Sequence, residues 1–201
     1  MTVAPRFGYM EYTLAIDNTP DTVEGGTGIL LLHPSTGETD RLDTDFLSTD
    51  TDAMLVISTR TTAREVKQKL EYYEVDEDTA TILDTLSVER GYTRRQSESV
   101  RYASAPDDLE GIVAETETFL QDHDGKLRVS FDSLTELIYY ADEDQAMEAV
   151  EDILELLEEY DAVGMFHLAE GVHDEATVDE FRALFDGVVE LVEDGTVTSE
   201  F

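Results

Sequence analysis

The chain has 201 residues, no cysteine, and 48 acidic against 13 basic residues, a formal charge of −35. Disulfides and thiolate metal sites are excluded, no run approaches the ~20 apolar residues a bilayer span needs, and the N-terminus lacks a signal peptide's apolar core. With 41% hydrophobic residues the chain is expected to fold rather than stay disordered, and its charge opposes direct contact with a nucleic-acid backbone.

That charge would strain a compact fold at low ionic strength. In molar salt the Debye length falls to about 3 Å, and the same carboxylates then keep the surface hydrated. Lysine is scarce, with Lys67, Lys69 and Lys126 against ten arginines, a bias that fits the cytoplasm of a salt-accumulating halophile. A cytoplasmic protein without a membrane partner is expected. The length suits a single domain over residues 10–201, with residues 1–9 as an unpatterned leader and Met10 as a second possible start.

In chain order, Met10, Tyr12, Leu14 and Ile16 alternate with polar or small residues, as in an edge or half-buried strand. Residues 28–33 read as a buried strand leading into a turn, His33-Pro34-Ser35-Thr36-Gly37-Glu38-Thr39. A working phosphate loop has G-x-x-x-x-G-K-[ST], in which backbone N–H groups and a lysine face phosphate and a hydroxyl ligates magnesium. Here Thr39 keeps the hydroxyl, Leu32 stands at the first glycine and Glu38 at the lysine. At about 4 Å and an effective dielectric near 20, that reversal turns roughly 4 kcal/mol of attraction into similar repulsion. The loop is degenerate, with His33, Ser35, Thr36, Gly37, Glu38 and Thr39 as its residues, and nucleotide is not an expected ligand.

A short helix near 41–47, a strand at 54–59, a helix over 61–73 and a strand at 80–84 follow. Then come a helix over 106–122, a strand at 127–132, and a long acidic helix over 143–160 with an apolar stripe through Ala146, Val150, Ile153, Leu154 and Leu157. The strand 163–168, a helix over 175–185 and a strand at 188–192 complete the set. Apolar strands alternating with such helices imply a mostly parallel sheet covered on both faces.

In such sheets ligands bind beyond the carboxyl ends of the strands. His33, Arg60, Asp84, Asp132 and His167 each fall at or just past a strand end and form the candidate pocket. Arg60 could hold a small anion or nucleotide fragment there, or carboxylate and imidazole a metal; the plainer reading has Asp132 and Ser133 satisfying backbone donors and the histidines half-buried. No ligand spacing indicates a dedicated metal site, and His123 and His173 are expected in solvated loops.

Eight of the 13 basic residues lie between positions 60 and 101, and Arg90, Tyr92, Arg94, Arg95 and Arg101 form a candidate interface for a protein partner or a second copy. The bland alternative is pairing with the chain's own acidic helices. Those helices lack the spacing of a calcium loop. Tyr139 and Tyr140 could stack on a base, although core packing of at least one is the simpler reading.

From Gly25 to about residue 192 the chain resembles the RecA superfamily, most closely its archaeal KaiC-like branch. Gly25-Gly26-Thr27-Gly28 with Ile29 to Leu32 is similar to that family's Gly-Gly turn and first core strand, and Met54 to Thr61 with Ala63 to Val66 to its next strand and helix. Arg128 to Thr135 resembles its Walker B strand, and Phe185 to Leu191 its closing Asp-Gly strand. The resemblance implies a three-layer α/β core of RecA or P-loop NTPase type. It also implies a magnesium-orienting role for Asp132, beside Ser133, and water-activating glutamates where this chain has Arg60 and Thr61.

The matches are structural and the departures fall on catalytic positions, so no catalytic residue and no cofactor is expected. The chain resembles haloarchaeal RecA-type cores that lack a usable phosphate loop. The function expected is that of a pseudo-ATPase, regulatory or scaffolding, acting through protein contacts; the alternative is a nucleotide sensor or slow ATPase using non-standard phosphate contacts.

Overall fold

Strand formation follows the short apolar runs, and the computed structural model describes residues 9–35, 38–88, 90, 91, 97 and 99–201. In order the elements are β1 (Glu11–Thr13), β2 (Thr22–Glu24), β3 (Gly28–Pro34), α1 (Asp40–Ser48), β4 (Ala53–Ser58), α2 (Ala63–Tyr72), β5 (Ala80–Asp84) and β6 (Val100–Tyr102). They continue with α3 (Leu109–Asp122), β7 (Leu127–Asp132), α4 (Leu134–Tyr140), α5 (Glu143–Tyr160), β8 (Val163–Glu170), α6 (Glu175–Arg182), β9 (Gly187–Leu191) and β10 (Val197–Glu200).

Eight strands form one sheet in the order β10-β9-β3-β8-β7-β4-β5-β6. All neighbours are parallel except β10, which closes one edge antiparallel to β9. The chain leaves β3, crosses above β8 and β7 through α1, and enters β4, so the ends of β3, β8, β7 and β4 line up beneath α1.

The two-residue period of the strands divides the core. Leu30, Leu32, Leu55, Ile57, Val129, Phe131, Phe166 and Leu168 face α3, α4, α5 and α6. Ile29, Leu31, Met54, Val56, Met165 and Val189 face α1, α2 and the β1–β2 hairpin. The α/β architecture with helices on both faces is as expected from the alternation.

Several local features differ from the sequence reading. The alternating segment at 10–17 does not join the main sheet; β1 pairs with β2 in a separate hairpin. Tyr12 pins that hairpin down, its hydroxyl donating to Asp161 O at 2.7 Å and accepting from Leu127 N at 3.1 Å. The Arg128 guanidinium, on a fully buried side chain, lies 5.3 Å from the Tyr12 ring and 4.9 Å from that of Phe46, and donates to Thr13 O at 2.7 Å. Gly26 turns the chain into β3 at a φ of +94°, a conformation that favours glycine. The three-residue β6, the seven-residue α4 and the edge strand β10 are too short to carry a readable period. His123, expected in solvent, is half-buried with its ring centroid 4.5 Å from that of Phe119.

Candidate functional site

On the face toward α1 and α2, the strands change character near their carboxyl ends. Apolar residues give way to His33 on β3, His167 on β8, Ser130 and Asp132 on β7, Ser58 on β4 and Asp84 on β5, all buried. The register sets Asp132 level with Ser58, and Ser130 level with Met165, one alternation below His167. A buried polar layer therefore sits between the apolar core and the crevice at the strand ends, and each of its groups must find a partner.

Asp132 and Arg60 meet there. The Arg60 guanidinium donates from Nη2 to Asp132 Oδ2 at 3.0 Å; its own side chain is 39% exposed, that of Asp132 7%. Burial opposes the charge on Arg60, but Asp132, followed by Glu136 and Asp40, outweighs it and raises the guanidinium pKa. Below the pair, Thr59 locks β4 to β7. Its N–H donates to Asp132 O at 2.9 Å, its hydroxyl donates to Ser133 O and accepts from Ser133 N, both at 2.8 Å. The Asp132–Ser133 peptide bond is cis, and the Ser133 hydroxyl donates to Glu136 in the first turn of α4.

Beneath α1 lies a second cluster. Asp43, fully buried, accepts from Lys69 Nζ at 2.8 Å through one oxygen, and from the Ser130 hydroxyl and His167 Nε2, the latter at 3.1 Å, through the other. Burial alone would raise the Asp43 pKa, but Lys69 and then His167 hold it far below the carboxylate range. Burial opposes the Lys69 ammonium, and Asp43 ahead of Asp132 more than compensates, so its pKa is raised. His33, 5% exposed, directs Nδ1 to the Pro34 carbonyl at 2.9 Å, and burial pushes its pKa down. The two imidazole rings stand edge to face with centroids 5.9 Å apart.

Of the five pocket candidates, His33, Arg60, Asp132 and His167 share this region. Asp84 does not face the crevice. Its carboxylate accepts from Ala63 N at 2.7 Å, Leu86 N at 2.9 Å, Ser87 N at 2.8 Å and the Ser87 hydroxyl at 2.6 Å. It thus anchors the N-terminus of α2, where the helix dipole favours an anion. In the degenerate loop, Ser35 and Glu38 are exposed and Thr39 is buried at the start of α1, while Thr36 and Gly37 lie outside the described residues. Beside the loop opens a cleft of about 750 Å³ in which Asp17, Glu38, Asp45, Glu193 and Asp194 outnumber a single guanidinium, Arg41, itself 3.6 Å from Asp45.

Among the interface candidates, Arg90 is exposed, and Tyr92, Arg94 and Arg95 lie outside the described residues. Arg101 pairs within the chain, with Glu115 at 3.3 Å and Asp122 at 3.2 Å on α3. Tyr139 is 83% exposed, with the Tyr140 ring edge-on at 5.3 Å. Among the described residues no group of three or more His, Asp or Glu side chains is suited to a metal ion, and no helix is long and apolar enough to cross a membrane.

Sequence reasoning missed Asp43, Lys69, Ser130 and Arg128. The signal was present in the periodicity. Asp43 precedes Phe46 and Leu47 at the spacing of one helix face, and Lys69 follows Val66 by three. Leu127-Arg128-Val129-Ser130-Phe131-Asp132 alternates strictly, placing three polar side chains on one face of a central strand.

Solved structures share the fold. A KaiC-like protein from the hyperthermophilic archaeon Pyrococcus horikoshii OT3 is 11% identical, with a TM-score of 0.64 over 95% of this chain and 86% of that one. An ATPase from the type III secretion system of pathogenic bacteria is 15% identical, with a TM-score of 0.63 over 94% of this chain; the present chain spans only 58% of it. Another Pyrococcus horikoshii protein, solved in complex with an unknown peptide, is 16% identical, with a TM-score of 0.60 over 88% of this chain and 83% of that one. No curated protein matches the sequence. The fold is a RecA-like core. Residues 10–201 match the model of a family of unknown function, DUF7090, and the chain belongs to that family.

Proposed function

We propose that this protein is a non-catalytic RecA-type core, a pseudo-ATPase that regulates or scaffolds through protein contacts in a halophilic cytoplasm. The observation that carries the reading is the 3.0 Å ion pair between Arg60 and Asp132. The carboxylate that the resemblance assigns to magnesium already holds a cation of the chain itself. Glu38, in the lysine's place, lines a cleft of carboxylates that repels phosphate. A magnesium nucleotide does not fit these groups.

Arg90 and Tyr139 are exposed, and tyrosine and arginine are enriched at binding hot spots, which supports a contact with a partner there. The alternative, a nucleotide sensor, rests on the part of Arg60 that reaches solvent.

Calorimetry with ATP and ADP, magnesium and molar KCl separates the two. The pseudo-ATPase reading expects no saturable heat from the native protein and some gain in Glu38→Lys. Magnesium-dependent binding that disappears in Asp132→Ala would establish the sensor instead.

A further inference from the structure

In a chain with 48 acidic residues the few cations are expected to be paired. Among the described residues Arg41, Arg60, Lys69, Arg101, Lys126 and Arg182 each hold a carboxylate. Lys67 reaches the Ser99 hydroxyl at 3.4 Å, and Arg128 is buried. Arg64 and Arg90 are the exceptions, both exposed and neither in an ion pair among those residues. They share one neighbour. Both favour the charge on Glu65, whose carboxylate is held first by the Thr62 N–H at 2.9 Å and hydroxyl at 2.8 Å. Arg64 stands in the first turn of α2 and Arg90 follows β5, so the two guanidinium groups mark the β4–β5 side of the sheet.

Across α1 the charge is reversed. The cleft of about 750 Å³ beside the degenerate loop has Ile16, Leu42 and Leu191 as apolar lining. Around them Asp17, Glu38 and Glu193 are exposed and in no ion pair among the described residues. At about 100° per residue, Arg41, Leu42 and Asp45 of the cleft fall on one side of α1; Asp40 and Asp43, which meet Lys69 of α2, fall on the other. The steps β5-β4-β7-β8-β3-β9 are five strand spacings of roughly 4.8 Å, about 24 Å in all. An arginine side chain does not span that distance, so Arg64 and Arg90 do not serve the cleft of their own molecule.

We propose that the occupant of this cleft is a second copy of the chain, whose Arg64 and Arg90 enter it head to tail. The guanidinium groups meet Asp17, Glu38 and Glu193, and their aliphatic stems lie on the apolar lining. Arginine suits both demands, since it pairs bidentately with carboxylate and covers apolar surface with its stem while the charge stays in water. In molar salt the Debye length of about 3 Å removes the long-range repulsion between two copies of charge −35, and only charges in direct contact keep their attraction. The two surfaces differ, so after one contact each copy still offers either a cleft or its arginines, and the assembly continues into a ring or a filament. This contact rests on the protein-contact role proposed for the chain and names its partner.

The test is sedimentation equilibrium in molar KCl, with far-UV circular dichroism confirming that each protein is folded. It compares the native chain with Arg64→Ser plus Arg90→Ser, and with Asp17→Asn plus Glu38→Gln plus Glu193→Gln. The native chain is expected to form species beyond the dimer as its concentration rises, and each variant alone to stay monomeric. Mixed in equal amounts, the two variants should form a dimer and stop there, because the mixture offers one kind of intact cleft and one kind of intact arginine pair. Glu110→Gln plus Glu148→Gln, in the acidic groove of about 690 Å³ between α3 and α5, should leave the assembly unchanged. A native chain that is monomeric throughout, a variant that assembles as the native chain does, a mixture that stays monomeric, or loss of assembly in the α3–α5 variant each overturns the contact. Nucleotide binding is decided by calorimetry alone, so failure of the contact and failure of the pseudo-ATPase reading are separate results.

Discussion

Arg60 Nη2 and Asp132 Oδ2 stand 3.0 Å apart across the ends of β4 and β7. The pair joins two strands that are also bound by Thr59 and Ser133, so the carboxylate is held from its backbone and its side chain together. A group held in this way is poorly placed to take up an incoming cation.

Because Arg60 is partly solvated, the pair is worth less than a fully buried one. Asp132→Asn keeps the shape and removes the charge, and is expected to cost about 1 kcal/mol of unfolding free energy. Urea unfolding in molar KCl checks this. A loss several times larger would mean that Asp132 carries a structural load beyond Arg60.

The cluster beneath α1 is a different case. Asp43→Ala leaves the Lys69 ammonium buried with its main partner gone and should cost about 3–5 kcal/mol. The double variant Asp43→Leu with Lys69→Met removes both charges and should recover part of that loss, because apolar groups replace a buried ion pair at little cost, while Ser130 and His167 still lose their acceptor. If the double variant is as unstable as the single one, the ion pair itself, and not the orphaned charge, supplies the stability.

Acid should destabilise the protein in two steps. The folded-state pKa of His33 is lowered, so the unfolded chain takes up the proton first, and stability falls as pH drops below about 6.5, the ordinary histidine value. Asp43 is depressed, so its contribution is present above the ordinary carboxylate pKa and is lost as pH falls from there. Thermal midpoints measured against pH should show both slopes, with the upper one flattened in His33→Gln.

Arg128 is buried without a carboxylate against it among the described residues; its Nη2 donates to a carbonyl, and Nε and Nη1 have no partner among those residues. Burial lowers its pKa to about 10. Arg128→Met fills the space between Tyr12 and Phe46 without a charge and is expected to leave stability unchanged or raise it by about 1 kcal/mol. A clear loss in differential scanning calorimetry would show that the ring contacts of the guanidinium outweigh its desolvation.

The layered α/β fold was readable because its strands and long helices repeat at their own periods over enough residues to be distinguished. Asp132, Arg60, His33 and His167 were readable for the same reason, since a parallel sheet brings strand ends together whatever the connections between them. Asp84 shows the limit: a carboxylate at a strand end is equally suited to a ligand or to the first turn of the next helix, and only the position of Ala63 N decides. Asp43 and Lys69 were hidden by their helices, whose apolar faces are read as core, although a charge on such a face requires an opposite charge across from it.

A helix of nine residues has little stability of its own. Asp43 nonetheless ties α1 to α2 through Lys69, to β7 through Ser130 and to β8 through His167. Its backbone amides should therefore exchange with deuterium as slowly as those of the central strands, through opening of the whole molecule rather than local fraying. The segment that follows the degenerate loop would then behave as part of the rigid interior, with no freedom left to answer a ligand at its N-terminus.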